Sequence, residues 1–313
     1  MKVVFFGTPP FAANVLTYLI DHSIEVTAIV TKPDKPQGRS GKPAFSAVKE
    51  VALKKYPSIP LYQPEEASDP AFAKRLRSYN ADLFIVVAYG EIMKENLLRM
   101  PRLRCINVHS SLLPKYRGAA PMQFALLNGD TESGVTIMEM ALKMDAGDII
   151  SQKIVPIPAD MNLEQLESAL CQAGCEALLE VIDAFEKGTI VKTPQDHGQA
   201  TYVKKIDPSM AEMNWTEAAT VLHNRIRAFS PKPGAWCIVE INGQPKRLKI
   251  LRSRVSKNHQ GFPGETVQYD KTNWVLACGS DALELLEVQL EGKKRMAIED
   301  FLRGYPNPPQ IRK

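Results

Sequence analysis

Asn107 and His109 stand two residues apart in an apolar, β-branched run, Cys105-Ile106-Asn107-Val108-His109, which opens into Ser110-Ser111-Leu112-Leu113-Pro114-Lys115-Tyr116-Arg117-Gly118. Residues two apart on a strand share a face, so an amide and an imidazole are expected to project together where the strand gives way to a Pro/Gly loop. A neutral imidazole in a cleft can accept a proton from an attacking group, and a neighbouring carboxylate would orient it and hold the imidazolium once formed. The amide can donate a hydrogen bond to an oxyanion developing on an acyl carbon, an effect worth about 3 kcal/mol in acyl transfer. Carboxylates follow in Leu142-Lys143-Met144-Asp145-Ala146-Gly147-Asp148, where Asp145 and Asp148 compete for the role and spacing alone does not choose. Ser110 and Ser111 lack a nucleophile-elbow pattern, so direct attack by an external nucleophile is the simpler chemistry.

The elements that must position these groups read as alternating strands and helices. Val3 to Phe6 is a short apolar run, Pro9 to Ile20 has helical spacing through Phe11, Val15, Leu16 and Leu19, and Val26 to Val30 is apolar again, which makes a βαβ unit. Helices over 47–54, 71–78, 91–98 and 122–127 and strands over 83–88, 104–109, 135–139 and 149–157 follow. The expected fold class is α/β: a Rossmann-like, mostly parallel sheet with helices on both faces. Ligands of such sheets bind outside the carboxyl ends of the strands, where both Ala88-Tyr89-Gly90 and Asn107-Val108-His109 fall. The Gly7-Thr8-Pro9-Pro10 turn has one glycine only and is a poor dinucleotide fingerprint, which speaks against a dehydrogenase.

A long helix over 163–187 closes this part, giving an expected catalytic domain over 1–188, and 189–204, with Pro194 and Gly198, reads as a linker. Beyond it a helix over 216–229 precedes short strands separated by Asn242-Gly243, Pro263-Gly264 and Gly279-Ser280. They suggest a small, OB-like β-barrel as a C-terminal domain over 205–313.

The chain has 313 residues, 44% hydrophobic and 24% charged, which suits two ordinary globular domains at roughly 100 to 200 residues each. No apolar run approaches the ~18 residues of a membrane span, and the amino-terminal run Val3 to Phe6 stops at Gly7, too short for a signal-peptide core. The five cysteines are scattered, with Cys171 and Cys175 on one helix face, and imply neither a disulfide framework nor a zinc site; no metal is expected. These features place the chain in the cytoplasm. The net charge of +4 hides an asymmetry: from residue 205 onward, 17 Lys and Arg face 12 acids.

Asn107-Val108-His109 with Ser111-Leu112-Leu113-Pro114 and the Asp-Ala-Gly-Asp turn resembles the formyltransferase family that uses 10-formyltetrahydrofolate. The similarity runs from end to end, through Phe5-Phe6-Gly7-Thr8-Pro9, Lys32-Pro33-Asp34-Lys35-Pro36, Val87-Ala88-Tyr89-Gly90, Arg117-Gly118-Ala119-Ala120-Pro121, Gly292-Lys293-Lys294-Arg295-Met296 and Asp300-Phe301-Leu302. It is strongest to those members that formylate the α-amine of methionine carried by initiator transfer RNA. The resemblance implies Asn107, His109 and Asp145 as the catalytic trio, Ser111, Leu112, Leu113 and Pro114 as part of the folate site, and Val87, Ala88, Tyr89 and Gly90 as lining for the pterin pocket. Ser110 stands where glycine is frequent in the family.

Cations divide between two regions. The loop over 31–43 reads by composition as a solvated loop, but the resemblance implies that it meets the acceptor end of the transfer RNA through Lys35, Arg39 and Lys42, with Arg39 the key contact. Lys246, Arg247 and Lys249, on a strand as consistent with a charged edge as with a phosphate track, are implied with Lys293, Lys294 and Arg295 to meet the RNA backbone. The expected reaction is formyl transfer from 10-formyltetrahydrofolate to charged initiator transfer RNA by a monomer without a metal. The rival within the same chemistry is transfer to a small amine, a purine precursor or an amino sugar, which needs no basic second domain.

Overall fold

The computed structural model describes residues 1–36, 43–257 and 259–312. It contains two compact units, the first made of 1–119, 133–156 and 167–203, the second of 120–132, 157–166 and 204–313.

The first unit is built on a seven-stranded sheet. In spatial order its strands are Ile149–Pro156, Glu132–Glu139, Cys105–His109, Leu83–Val87, Lys2–Gly7, Glu25–Val30 and Leu61–Tyr62. Five run parallel, and Glu132–Glu139 pairs antiparallel with Cys105–His109. The expected α/β sheet is present, and its central strands are buried on both faces, as crossover helices require. Val4, Phe6, Phe84, Val86 and Cys105 join one apolar cluster with Leu76 and Leu97 of the helices Pro70–Arg77 and Glu95–Leu98. On the other face the helix Leu163–Lys187 comes so close that a Cβ on Gly174 would lie 3.2 Å from Val108. Val108 therefore turns toward that helix, and Asn107 and His109 turn away from it.

Local chemistry sets several element ends. Ser46 caps the helix Ala47–Lys55 by accepting from the Lys49 N–H at 3.0 Å, and Asp69 caps Pro70–Arg77 at the Ala71 and Phe72 amides. The helix expected over 91–98 is a single turn, Glu95–Leu98. Ahead of it the chain bonds to its neighbours instead of to itself: Glu91 accepts from the Ala67 N–H and from Lys32, and the Lys94 N–H donates to Ser68.

The second unit holds a seven-stranded antiparallel sheet of barrel type. Its path runs Thr266–Tyr269, Trp274–Ala277, Ala282–Leu290, Gln244–Ser256, Ala235–Ile241 and Gln310–Ile311, with Met296–Ala297 on Ala282–Leu290. Strict alternation in Ala235–Ile241 sends Ala235, Cys237, Val239 and Ile241 inward. Trp274, fully buried, stacks on Phe301 at 5.6 Å inside this core. The helix expected from 216 begins at Ala219, because Asn214 holds the Thr216 amide and hydroxyl in a side-chain turn. Helices Pro121–Leu127 and Ala219–Phe229 pack together, with the buried Arg227 donating to the Leu126 carbonyl.

Candidate active site

The carboxyl ends of three neighbouring strands come level through their registers, Gly7 against Val87 and Val86 against Asn107. His109 is buried, and its Nε2 lies 3.0 Å from the Tyr116 carbonyl. A carbonyl only accepts, so that nitrogen carries the proton and the neutral ring keeps its lone pair on Nδ1. Asp145 Oδ2 lies 3.9 Å from Nδ1, beyond hydrogen-bond range but within ion-pair range of a protonated ring. The tautomer is thus fixed by Tyr116, while Asp145 is placed to stabilise the imidazolium. The same Oδ2 accepts from the Gly118 N–H at 2.8 Å. Of the two carboxylates that spacing left open, the fold brings Asp145 to the ring; the Asp148 carbonyl joins the sheet by accepting from the Glu139 N–H.

Asn107 is half-buried and shares the His109 face of the strand. The 111–114 loop is clamped by Thr136, whose hydroxyl donates to the Ser111 carbonyl at 2.7 Å and accepts from the Leu113 N–H at 3.1 Å. Gln152 donates to both the Leu113 carbonyl and the Thr136 hydroxyl. Ser111 itself is buried, its hydroxyl donating to the Lys115 carbonyl; Leu113 is also buried, and Leu112 and Pro114 are half-buried.

At the neighbouring strand end, Ala88 and Gly90 are exposed with φ of 45° and 85°. Val87 is fully buried, and the Tyr89 ring points into the core against Phe6, where burial pushes its phenol pKa up. The Tyr89 ring is thus withdrawn from the strand end, and its carbonyl accepts from the Thr8 hydroxyl at 3.0 Å, which leaves the exposed Ala88 and Gly90 as the accessible residues there. These segments can hold a flat heterocycle through backbone groups at a strand end, the arrangement that α/β sheets use for ligands.

Sequence reasoning missed the supports of this site. Arg117 is fully buried and Gln195 nearly so, and Gln195 lies in the 189–204 segment expected to be a linker. That segment adds a strand, Tyr202–Val203, which forms a separate two-stranded parallel sheet with Arg117–Gly118. No signal in the sequence around Pro194 marks Gln195 as buried or names its partners.

Among the cations, Lys35 is exposed on a two-residue strand paired with Pro43–Ala44, while Arg39 and Lys42 lie outside the described residues. Arg247 and Lys249 share the outer face of Gln244–Ser256, with the Arg247 guanidinium 4.1 Å over the Trp236 ring; Lys246 is half-buried on the alternate face. Pairing of Leu248 with Leu290 brings the turn that carries the exposed Lys293, Lys294 and Arg295 to the same end, where Glu291 accepts from the Arg247 N–H. Arg295 lies 3.6 Å from Glu287. No group of three metal-ligating side chains occurs among the described residues, and no described helix is long and apolar enough to cross a membrane.

Fold and site together define an α/β enzyme of acyl transfer. The family model for formyl transferase matches residues 1–182, and that for the formyl transferase C-terminal domain matches 205–306. The chain belongs to the formyl transferase family. It is 51% identical over 304 residues to a methionyl-tRNA formyltransferase of Protochlamydia amoebophila, covering 97% of this chain and 95% of that protein. Among solved structures it resembles an N-formyltransferase from Helicobacter canadensis in complex with folinic acid and dTDP-3-aminofucose, with TM-score 0.65 and 20% identity over 91% of this chain and 98% of that one. It also resembles HypX from Aquifex aeolicus in complex with tetrahydrofolic acid, with TM-score 0.64 and 16% identity over 96% of this chain; the chain spans about half of HypX, 47% of its length. At these identities the structural likeness is one of fold.

Proposed function

We propose that this enzyme transfers the formyl group of 10-formyltetrahydrofolate to the α-amine of methionine esterified to initiator transfer RNA, giving N-formylmethionyl transfer RNA for translation initiation. The observation that carries this reading is the likeness to the Protochlamydia relative, which runs through both domains. The folate supplies an activated one-carbon acyl group. Val87 to Gly90 and Ser111 to Pro114 would hold it, the first through backbone at the strand end and the second through a loop stiffened by Thr136 and Gln152.

Asn107 and protonated His109 stabilise negative charge on the formyl oxygen as the amine attacks. Asp145, 3.9 Å from the ring, faces the imidazolium once it forms and helps, through water, to move a proton from the amine toward the leaving nitrogen. Positioning of two reactants in one cleft supplies the rest of the rate. Offered 10-formyltetrahydrofolate, the enzyme is expected to release tetrahydrofolate with charged initiator transfer RNA and not with amino sugars or purine precursors. Release with a small amine alone would replace this reading by its rival.

Lys35, Arg39 and Lys42 in the amino-terminal loop, and Lys246, Arg247, Lys249, Lys293, Lys294 and Arg295 in the second domain, are the proposed RNA contacts. Four phosphate contacts would weaken binding roughly 50- to 150-fold between 50 and 200 mM salt. The double change Arg247→Ala and Lys249→Ala is expected to make the slope of log affinity against log salt shallower by about two. A flat salt response in filter binding would refute the phosphate track. We place the enzyme in the cytoplasm as a monomer, a reading supported by five free, buried cysteines and by one chain carrying both the acyl-transfer site and the cationic strand.

A further inference from the structure

We infer that Gln195 is a positioning residue for formyl transfer, anchored by Arg117 and holding the Asp145 turn against the His109 ring. The inference rests on the reading of Asp145 as the acidic member of the trio. Asp145 has φ of 50°, in the left-handed region that a side chain disfavours, so its conformation persists only where neighbours impose it.

Gln195 supplies that grip. Its Nε2 donates to the Asp145 carbonyl at 3.0 Å and to the Gly147 carbonyl at 2.6 Å, clasping the turn on both sides of Ala146. Its Oε1 accepts from Arg117 Nη2 at 2.6 Å and Nε at 3.2 Å. The guanidinium only donates and the two carbonyls only accept, so the amide has a single workable orientation. Arg117 is held in turn by His197 Nδ1 at 2.9 Å and the Tyr202 hydroxyl at 3.2 Å.

The next residue completes the clamp. The Gly118 N–H binds the Asp145 carboxylate, and Gly118, with φ of 120°, lies so close to the Tyr202–Val203 strand that a Cβ there would be 2.1 Å from the Val203 carbonyl. The Asp145 main chain and side chain are therefore both fixed from the Arg117–Gly118 pair, the first through Gln195. A side chain buried with every polar atom committed in this way sets geometry; it does not touch the reacting atoms.

Gln195→Glu tests this. It keeps the volume and gives Arg117 a carboxylate partner, but it loses both donors to the turn. The expected result is a kcat at least 30-fold lower, with KM for folate and for charged transfer RNA within about twofold and a melting temperature within a few degrees. In the Asp145→Asn background the same change is expected to lower kcat by less than threefold, since the residue that it positions is already disabled. Where Gln195→Glu does not fold, Gln195→Met gives the same readouts without a buried carboxylate. A folded variant with kcat within threefold of wild type, or losses that multiply in the double variant, would overturn the inference and leave the trio intact. Wild-type kcat in Asp145→Asn alone would overturn the reading of Asp145 and the inference with it.

Discussion

Replacing His109 by alanine is expected to lower kcat by ~10²–10⁴-fold while leaving affinity for charged transfer RNA within about twofold. The imidazole is 6% exposed, with its Nε2 proton committed to the Tyr116 carbonyl, so Nδ1 is the one ring atom free to exchange a proton beside Asp145. Alanine removes that acceptor and the cation proposed to form there, together with its proposed share of the stabilisation of the formyl oxygen. Asp145→Asn is expected to move kcat in the same direction, because its amide oxygen can still accept from the Gly118 N–H but the negative charge facing the ring is lost. Single-turnover rates at saturating folate, set beside filter binding of the RNA, separate the chemical step from affinity. A His109→Ala rate near wild type would remove the imidazole from the reaction.

Gly147→Ala is expected to destabilise the protein by about 3 kcal/mol, lowering the melting temperature by roughly 6–12 °C, and to depress kcat in whatever folded protein remains. A Cβ on Gly147 would sit 1.8 Å from the Glu139 carbonyl oxygen and 2.8 Å from its carbon, and backbone at the end of a sheet strand does not move aside as a flexible side chain would. The Gly147 carbonyl is also one of the two that Gln195 grips, so relief of the clash displaces the turn carrying Asp145. Calorimetry with parallel kinetics checks both parts. A melting temperature within 2 °C of wild type would show that the turn gives way without resistance.

The face shared by Asn107 and His109 was legible from sequence because the period of a strand is two and apolar neighbours mark it. The buried parallel strands were legible for the same reason, as unbroken apolar runs such as Val3 to Phe6. What was not legible depended on polar groups distant in the chain. Gln195 meets its partners 48, 50 and 78 residues away, and nothing periodic in Thr193-Pro194-Gln195 announces them. The placement of Asp145 beside the His109 ring goes with a left-handed backbone that composition cannot specify, and it was the family resemblance that favoured Asp145. Tyr89 showed its position but not its orientation: alternation breaks at the strand end, where Ala88 takes a positive φ and the ring swings into the core.

The barrel core cannot be excised as one continuous fragment. A polypeptide starting near residue 205 would lack the Pro121–Leu127 helix, leaving bare the side of Ala219–Phe229 that packs on it and depriving Arg227 of the Leu126 carbonyl. During synthesis that short helix leaves the ribosome more than ninety residues ahead of its partner and has to wait with its apolar side uncovered. The carboxyl-terminal unit is thus completed by chain made long before it, and truncations that respect the boundary in sequence still separate two helices that pack on each other.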